Sequence, residues 1–366
     1  MNKIGIIGAG RLGLCLALNL ERVGYDVIAI DISEERVNQI NSKSLVVEEP
    51  LVEEYLNAVT NLIASTKTSD LIDNEVYLIF VCVPTPSLDN GKYNHSYILD
   101  SVAKLLQFDI PERRVELVIN ATTMPGFCDE LQELLKDTNY FVSYNPEFIA
   151  QGSIIKDQQF PDQVLIGESE PESGDRIVEV YSKLCENPLI NRMSRTSAEI
   201  AKLSVNCFLT TKIAFANSVG DLSIKMKAEH EKILASIGSD SRIGNSYLGY
   251  GFGFGGPCLP RDNRALAITG EEQGVSLHIS TATNNANFTH LDFQFDQYMK
   301  MEEPIIFEQV TYKPGTDIIE ESQYLALAVR LMRAGKKVQV RGSEVVLKQV
   351  RKLYGDKFIY DLDHDE

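Results

Sequence analysis

The sequence predicts an α/β protein with an N-terminal Rossmann-type parallel-sheet domain, a central long helix and a smaller C-terminal α/β domain of half-Rossmann type. An apolar strand leads directly into a glycine-rich turn near the N-terminus, and further buried apolar runs follow it. An unbroken helical pattern begins at Ser197, and short strands and helices alternate again after Pro304. We therefore predict domains at residues 1–195, 196–302 and 303–366.

Composition and charge favour an ordinary globular protein. The hydrophobic fraction is 44% and the charged fraction is 24% of 366 residues. With 35 basic against 52 acidic residues, the net charge of −17 argues against non-specific binding to nucleic acid or to an anionic membrane. The apolar runs are too short to span a bilayer and no signal-peptide pattern begins the chain, so we expect a cytoplasmic location.

The six cysteines are widely spread and include no C-x-x-C pair. This spacing predicts neither a disulfide framework nor a zinc site, and the five scattered histidines indicate no metal centre. We expect Cys15, Cys82, Cys128, Cys185 and Cys207 to be buried apolar residues. Cys258 stands in a different environment and is considered below.

The N-terminal motif is a dinucleotide fingerprint. A strand at Lys3–Ile7 leads into the pattern G-x-G-x-x-G at residues 8–13, and a helical pattern follows it. Gly8 permits the tight turn, Gly10 lets a pyrophosphate approach, and Gly13 lets the helix pack closely on the strand. The phosphates are expected at the helix N-terminus.

A second strand, Asp26–Ile30, ends at Asp31, where a carboxylate would hold the adenosine ribose hydroxyls. Because Asp31 would repel a 2′-phosphate, the sequence favours NAD over NADP. The alternative is a glycine-rich turn with no ligand.

Three more strands are predicted at residues 76–83, 115–120 and 141–144. The loops that follow the first two should lie at the nicotinamide end, because ligands bind at the carboxyl ends of the strands in such sheets. The third opens into Asn145-Pro146-Glu147-Phe148, whose Glu147 could be a base. By spacing alone, however, an acid in a turn is more often a solvated cap than a base.

The helix from Ser197 continues beyond Ile224 without a proline and carries Lys202 and Asn206 one turn apart. A helical lysine is commonly a solvated charge, although this pair could be directed into a cleft. Beyond it the sequence predicts helices at residues 263–274, 280–301, 323–334 and 343–353, with strands at 305–310, 337–340 and 358–360.

Cys258 lies in a glycine- and proline-rich segment that ends in Arg261 and Asp262. Glycines allow close approach of a ligand, and neighbouring charges can tune a thiol. A thiol beside a nicotinamide can trap an aldehyde as a thiohemiacetal and so allow its oxidation to the acid. The combination predicts a four-electron dehydrogenase.

The ordered motifs G-x-G-x-x-G, V-C-V-P-T-P, T-T-M-P-G, N-P-E-F, A-K-x-x-x-N and G-F-G-G-P-C-L-P-R-D resemble the UDP-glucose 6-dehydrogenase branch of the UDP-glucose/GDP-mannose dehydrogenase family. The resemblance runs from Lys3 to about Leu266 and continues weakly through residues 313–317. It implies oxidation of UDP-glucose to UDP-glucuronate with two NAD⁺, and a homodimer formed through the long helix.

The resemblance also implies roles for individual residues. Cys258 would be the nucleophile, Asp262 the base through a water, and Glu147 the activator of the hydrolytic water with help from Thr123. Lys202 and Asn206 would stabilise the oxyanion. The implied cofactor-binding residues are Gly8, Gly10, Arg11, Leu12, Gly13, Asp31, Arg36, Val83, Pro84, Thr85 and Thr123. The implied substrate-binding residues are Phe148, Ile149, Ala150, Gln151, Lys202, Asn206, Arg242, Tyr250, Phe254, Gly255, Gly256 and Lys313.

Three positions depart from the family pattern. Gln151 stands where many members carry Glu, Ser218 follows Asn217 where N-E is common, and Glu320 stands where the C-terminal motif has Arg. The alternatives are therefore a GDP-mannose or UDP-N-acetylhexosamine 6-dehydrogenase, a two-electron β-hydroxyacid or polyol-phosphate dehydrogenase, or a non-catalytic nucleotide-sugar-binding relative. They differ in the expected NADH yield per sugar.

Overall fold

The computed structural model of the protein describes residues 3–47, 49–149 and 152–362. The chain forms two compact units, Met1–Lys202 and Leu203–Glu366, which we call the N-terminal and C-terminal units. The boundary between them falls inside one long helix, Arg195–Lys225. The division into three domains at residues 195 and 302 stays a prediction.

The N-terminal unit is built on one sheet whose strand order reverses near its centre. Its described strands are β1 (Lys3–Ile7), β2 (Asp26–Ile30), β3 (Leu62–Ser65), β4 (Leu78–Val81), β5 (Val115–Ile119), β6 (Tyr140–Tyr144), β7 (Val164–Glu168) and β8 (Ile190–Ser194). They lie in the order β3-β2-β1-β4-β5-β6-β7-β8. All neighbouring pairs are parallel except β6 and β7. The loops that leave β1 and β4 start at the reversal point, where open α/β sheets bind ligands.

Helices cover both faces of this sheet. The described ones are α1 (Arg11–Arg22), α2 (Glu34–Asn41), α3 (Val52–Ala58), α4 (Ser69–Asp73), α5 (Ser96–Leu105), α6 (Phe127–Leu134), α7 (Ile154–Gln159) and α8 (Pro171–Leu184). Val27 and Ala29 of β2 belong to one apolar cluster, whereas Ile28 and Ile30 belong to another. Alternate residues of a strand point to opposite faces, so both faces of the sheet are buried. Burial on two sides explains the nearly continuous apolar runs of the central strands.

The apolar runs correctly predict β1, β2, β4, β5 and β6. The strands β3, β7 and β8 are not among the predictions, although β7 reads V-L-I-G-E and four of its five residues are buried. β8 shows the physical reason most clearly. It reads I-N-R-M-S, and none of its residues is buried because it forms an edge of the sheet. An edge strand needs no apolar run, and its sequence therefore carries little signal.

The C-terminal unit combines helices with a second, small sheet. The helix α9 (Arg195–Lys225) enters it from the N-terminal unit, in agreement with the helix predicted from Ser197. The other described elements are α10 (His230–Gly238), α11 (Leu259–Glu272), α12 (His278–Tyr298), β9 (Ile305–Phe307), α13 (Gln323–Arg333), β10 (Val338–Gly342), α14 (Glu344–Tyr354), a 3₁₀ turn (Gly355–Lys357) and β11 (Ile359–Leu362).

The three strands lie in the order β11-β10-β9 and are parallel. Helix α13 connects β9 to β10, and α14 connects β10 to β11. Two consecutive βαβ units of this kind are what the predicted half-Rossmann domain requires. The predicted fold class is thus confirmed. Within the described part of the chain, every helix is too short or too polar to cross a membrane.

Candidate active site

The loop at residues 8–13, which we call the dinucleotide loop, joins β1 to α1 and depends on two glycines. Gly8 has φ +94°, and a Cβ there would lie 2.7 Å from the carbonyl oxygen of Cys82. A Cβ on Gly13 would lie 2.0 Å from the carbonyl oxygen of Gly8. Real Cβ atoms do not approach backbone oxygens so closely, so neither position accepts a side chain. The predicted roles of Gly8 in the turn and Gly13 in close packing agree with this geometry.

Gly10 has a different surrounding. It is the N-cap of α1, no side chain caps the helix there, and nothing lies within 4 Å of the place where a Cβ would stand. The space and the uncapped helix N-terminus fit the pyrophosphate of NAD. Arg11 and Leu12 are the first residues of α1, and Leu12 packs against the apolar core.

Asp31 directly follows β2, as predicted. Its Oδ1 accepts a hydrogen bond from the backbone N–H of Ser33 at 2.9 Å. From α2, the Nη1 atom of Arg36 donates to the carbonyl oxygen of Ala9 at 3.3 Å. Arg36 therefore connects α2 to the dinucleotide loop.

The loops after β4 and β5 are joined by a hydrogen bond. Val83 and Pro84 follow β4 closely, and the hydroxyl of the buried Thr85 donates to the carbonyl oxygen of Thr122 at 2.7 Å. Because β4 and β5 are parallel neighbours, both loops lie at the same edge of the sheet.

Thr123 is fully buried and donates its hydroxyl proton to Glu199 Oε1 at 2.9 Å. Glu199, on α9, also accepts the backbone N–H groups of Gly126 at 2.6 Å and Cys128 at 3.0 Å. Burial raises the pKa of Glu199, and these hydrogen bonds oppose that shift. Glu199 is not among the residues predicted from the sequence, because a glutamate on a long helix is usually solvated. Its place one turn before Lys202 is the only signal that could have found it.

Glu147 and Lys202, predicted separately, lie together. The Nζ atom of Lys202 donates to the carbonyl oxygen of Glu147 at 2.7 Å and lies 4.4 Å from the ring centroid of Phe148. Gln158 Nε2 donates to Glu147 Oε1 at 3.3 Å. Burial raises the pKa of Glu147 to about 7, against the opposing effect of its hydrogen bonds.

Four predicted substrate-binding residues follow Glu147, and the structure describes the first two of them. Phe148 and Ile149 are half-buried, and each packs against one of the two apolar clusters of the sheet. Ala150 and Gln151 lie outside the described residues.

In the C-terminal unit, Cys258 is exposed and is the N-cap of α11. Asp262, in the first turn of α11, is fully buried. Asn206 Nδ2 donates to Asp262 Oδ2 at 2.6 Å, and Arg261 Nε donates to Oδ1 at 3.1 Å. The structure therefore brings Asn206 and Asp262 into direct contact, with Cys258 one turn before Asp262 on the same segment.

The segment at residues 250–258, which we call the cysteine loop, is held by amide side chains from two helices. Asn217 of α9 accepts the N–H of Gly251 at 3.0 Å and donates to the carbonyl oxygen of Phe252 at 3.3 Å. Asn287 of α12 accepts the N–H of Phe254 and donates to its carbonyl oxygen, both at 3.0 Å. The buried Phe254, predicted to contact the sugar, is thus fixed through its backbone.

The glycines predicted to lie along the sugar have close protein neighbours. A Cβ on Gly255 would lie 2.4 Å from the carbonyl oxygen of Glu321, and a Cβ on Gly256 would lie 2.4 Å from the ring of Tyr312. Lys313 follows that tyrosine, with its Nζ atom 5.7 Å from the ring centroid. These packing contacts alone require glycine at both positions.

Tyr250 and Arg242 have partners of their own. The hydroxyl of Tyr250 donates to Asp221 Oδ1 at 2.9 Å, and burial raises the pKa of this tyrosine. Arg242 is exposed and pairs with Asp240, with its Nη2 atom 2.6 Å from Oδ2. Arg242 is therefore a surface residue of this chain, with its side chain 87% exposed.

Four of the five cysteines that the sequence predicts to be buried are buried. Cys15, Cys128, Cys185 and Cys207 are buried, whereas Cys82 is half-buried. Burial raises the pKa of Cys15, Cys185 and Cys207 to about 12, which leaves them almost entirely as unreactive thiols. Cys258 is the exposed member of the six.

Two family models match most of the chain. Residues 2–185 match the model described as UDP-glucose/GDP-mannose dehydrogenase family, NAD binding domain. Residues 196–289 match the central-domain model of the same family. The first match covers the dinucleotide loop and Glu147, and the second covers Lys202, Asn206 and Cys258.

Individual relatives give a consistent picture. The UDP-glucose 6-dehydrogenase of Pseudomonas aeruginosa is 29% identical over 355 residues, which cover 92% of this chain and 78% of the relative. The GDP-mannose 6-dehydrogenase of the same organism is also 29% identical over 355 residues, with 92% and 80% covered. A solved structure of a UDP-glucose dehydrogenase from Pyrobaculum islandicum aligns with a TM-score of 0.88 at 25% identity, covering 99% of this chain and 86% of that one.

Proposed function

Because this chain belongs to the UDP-glucose/GDP-mannose dehydrogenase family and carries its NAD-binding domain, we propose that it oxidises UDP-glucose to UDP-glucuronate with two NAD⁺ per sugar. Members of the family are NAD-dependent nucleotide-sugar dehydrogenases. The observation that carries the four-electron chemistry is the exposed Cys258 at the N-terminus of α11, beside Asp262 and Asn206. A helix N-terminus favours the negative charge of a thiolate.

The first half of the reaction takes the 6-hydroxyl to an aldehyde. Asp262 accepts the hydroxyl proton through a water. Bound NAD⁺ supplies the hydride acceptor for both oxidations. The Cys258 thiolate then adds to the aldehyde carbon and forms a thiohemiacetal, while Lys202 and Asn206 stabilise the negative oxygen. Support for this pair comes from their spacing of one turn on α9 and from the buried ammonium of Lys202.

In the second half, oxidation of the thiohemiacetal gives a thioester on Cys258, and water hydrolyses it to the carboxylate and the free thiol. Glu147 removes the proton from that water. Its pKa of about 7, raised by burial, suits a general base at neutral pH. Thr123, whose hydroxyl donates to Glu199, helps to orient that water.

We also propose a homodimer that forms through α9. Phe208, Phe215 and Leu222 recur every seven residues on this helix, and their exposed fractions are 66%, 50% and 60%. Large apolar side chains in a row on one helix face are typical of a surface that another helix covers.

The substrate is the part of the proposal that needs a direct test. The NADH formed per mole of sugar nucleotide is measured by absorbance with UDP-glucose, GDP-mannose and UDP-N-acetylmannosamine. We expect two NADH from UDP-glucose. Two NADH from another sugar nucleotide would identify that compound as the substrate and leave the four-electron chemistry unchanged. GDP-mannose is the specific alternative, because the chain is equally similar to a GDP-mannose 6-dehydrogenase. One NADH per sugar would contradict the thioester route, and none from any sugar would support a binding protein.

A further inference from the structure

His290 of α12 lies buried against the start of the cysteine loop, and the proposed chemistry gives it no role. Its side chain is 2% exposed. The Nε2 atom lies 2.7 Å from the carbonyl oxygen of Gly251. The Nδ1 atom lies 2.9 and 3.0 Å from the two carboxylate oxygens of Asp221 on α9. The imidazole thus connects α9 to the loop.

Besides His290, Asp221 has a hydrogen-bond partner in the cysteine loop, Tyr250. The hydroxyl of Tyr250 donates to Asp221 Oδ1 at 2.9 Å, and the tyrosine ring lies edge-on to His290 with centroids 5.5 Å apart. A Cβ on Gly220 would lie 1.9 Å from that ring, so the close packing of Tyr250 on α9 requires glycine there. Asp221 is thus held between the Tyr250 hydroxyl and the imidazole of His290.

The backbone of the cysteine loop needs such external partners. Glycine occupies positions 251, 253, 255 and 256, and glycine offers neither a side-chain anchor nor a restricted backbone. Asn217, Asn287 and Gln294 contact the loop through neutral amides. His290 differs from them because its orientation is fixed by a carboxylate behind it, an arrangement that strengthens a hydrogen bond.

We propose that His290 is a positioning residue for the Cys258 thiol: Asp221 orients the imidazole, and the imidazole fixes the Gly251 carbonyl at the start of the loop that ends at Cys258. The effect on turnover rests on the proposed function. The effect on the loop does not, and it can be measured without substrate.

The test compares His290→Leu, His290→Gln and wild type by three measurements. Hydrogen exchange reads the N–H groups of Gly251 and Phe254, which Asn217 and Asn287 protect. Alkylation by iodoacetamide, located by peptide mass spectrometry, reads Cys258, the exposed cysteine. Steady-state kinetics separate kcat from KM. His278→Gln, an exposed histidine at the first position of α12, is the matched control.

For His290→Leu we expect about tenfold faster exchange at both N–H groups, an altered alkylation rate at Cys258, and about tenfold lower kcat with the KM for NAD within about twofold, as for loss of one charge-assisted hydrogen bond. His290→Gln keeps an N–H donor and should recover most of the exchange protection. His278→Gln should match wild type in all three measurements.

A folded His290→Leu protein with wild-type exchange and alkylation would overturn the proposal. If that variant does not fold, Asp221→Asn keeps the side-chain size and should show the same changes at smaller amplitude, and its failure to do so would also overturn it. If no sugar is oxidised, the exchange and alkylation results still decide the role of His290, and only the proposed function fails.

Discussion

The dinucleotide loop and the cysteine loop are both rich in glycine, but different parts of the molecule hold them in shape. In the dinucleotide loop, the groups that exclude a side chain at Gly8 and Gly13 are backbone atoms of the loop itself or of a neighbouring strand end. The cysteine loop is held by side chains 33 to 39 residues away in sequence, from Asn217, Asn287 and His290. The dinucleotide loop is therefore shaped mainly by backbone atoms, including those of Cys82 at the end of β4, whereas the cysteine loop depends on side chains that the tertiary fold brings to it.

The N-terminal unit contains a loop held by backbone atoms and also a loop held by a distant side chain. Beside the dinucleotide loop, the segment from Thr123 to Cys128 depends on Glu199, which is 71 to 76 residues away in sequence. Glu199 satisfies two N–H groups at the start of α6, where a helix leaves donors without internal partners. Hence α9 supplies a side chain to a loop in each unit: Glu199 in the N-terminal unit and Asn217 in the C-terminal unit.

The largest expected effect is a loss of turnover when the thiol of the cysteine loop is removed, with NAD binding at the dinucleotide loop unchanged. Cys258→Ser should lower turnover by more than about 100-fold, because a hydroxyl is a far weaker nucleophile than a thiolate. The affinity for NAD, measured by calorimetry, should stay within about twofold, since the dinucleotide loop does not depend on this residue. Cys185→Ser is the control, because serine can keep the hydrogen bond that its Sγ donates to the Gln158 carbonyl oxygen at 3.1 Å. A fully active Cys258→Ser enzyme would remove the cysteine from the mechanism.

The second largest effect tests whether the N-terminal unit supplies a general base, Glu147, in addition to binding the cofactor. Glu147→Gln should slow thioester hydrolysis by about 100-fold, on the scale of losing a general base. The thioester should then accumulate on Cys258 and be visible as added mass on the intact protein. Asp157→Asn, a nearby acid that accepts a hydrogen bond from Ser153, is the control. Slow turnover without an adduct would assign Glu147 another task.

The raised pKa of Glu147 also predicts how hydrolysis by the wild-type enzyme and its stability depend on pH. Burial raises the pKa of Glu147 to about 7 from a usual 4.5, so hydrolysis by wild type should rise with pH up to about 7 and then level off. The folded state holds a proton between these values that the unfolded state has lost. Stability from this group is therefore present below pH 4.5 and is lost as the pH rises through 7. Glu147→Gln should lack that loss, which urea unfolding at several pH values can measure.

The sequence predicted what short-range patterns encode. Period and apolarity identified the central strands, the glycine pattern identified the NAD-binding domain, and the long helix followed from the lack of proline. Edge strands such as β8 gave no apolar signal. Glu199 and His290 were missed because their partners are distant in sequence, and neither spacing nor composition indicates that a glutamate or histidine on a helix is buried beside a loop.

The smallest expected effects test the opening comparison most directly, through three glycine-to-alanine changes. Gly13→Ala places a methyl group 2.0 Å from a backbone oxygen that cannot move away, and should destabilise the protein by about 1–3 kcal/mol, as overpacking does. Gly10→Ala meets no protein atom within 4 Å, so its melting temperature should match wild type while the Kd for NAD rises about tenfold.

In the cysteine loop, the methyl group of Gly253→Ala would lie 2.2 Å from Asn287 Oδ1, which belongs to a side chain and can rotate. That variant should therefore lose less stability than Gly13→Ala, although both clashes are about equally close. It should instead speed hydrogen exchange at Phe254, because Asn287 can no longer accept that N–H group. Equal losses of stability in the two variants would mean that the cysteine loop is as rigid as the dinucleotide loop, and that its side-chain partners are not what defines its shape.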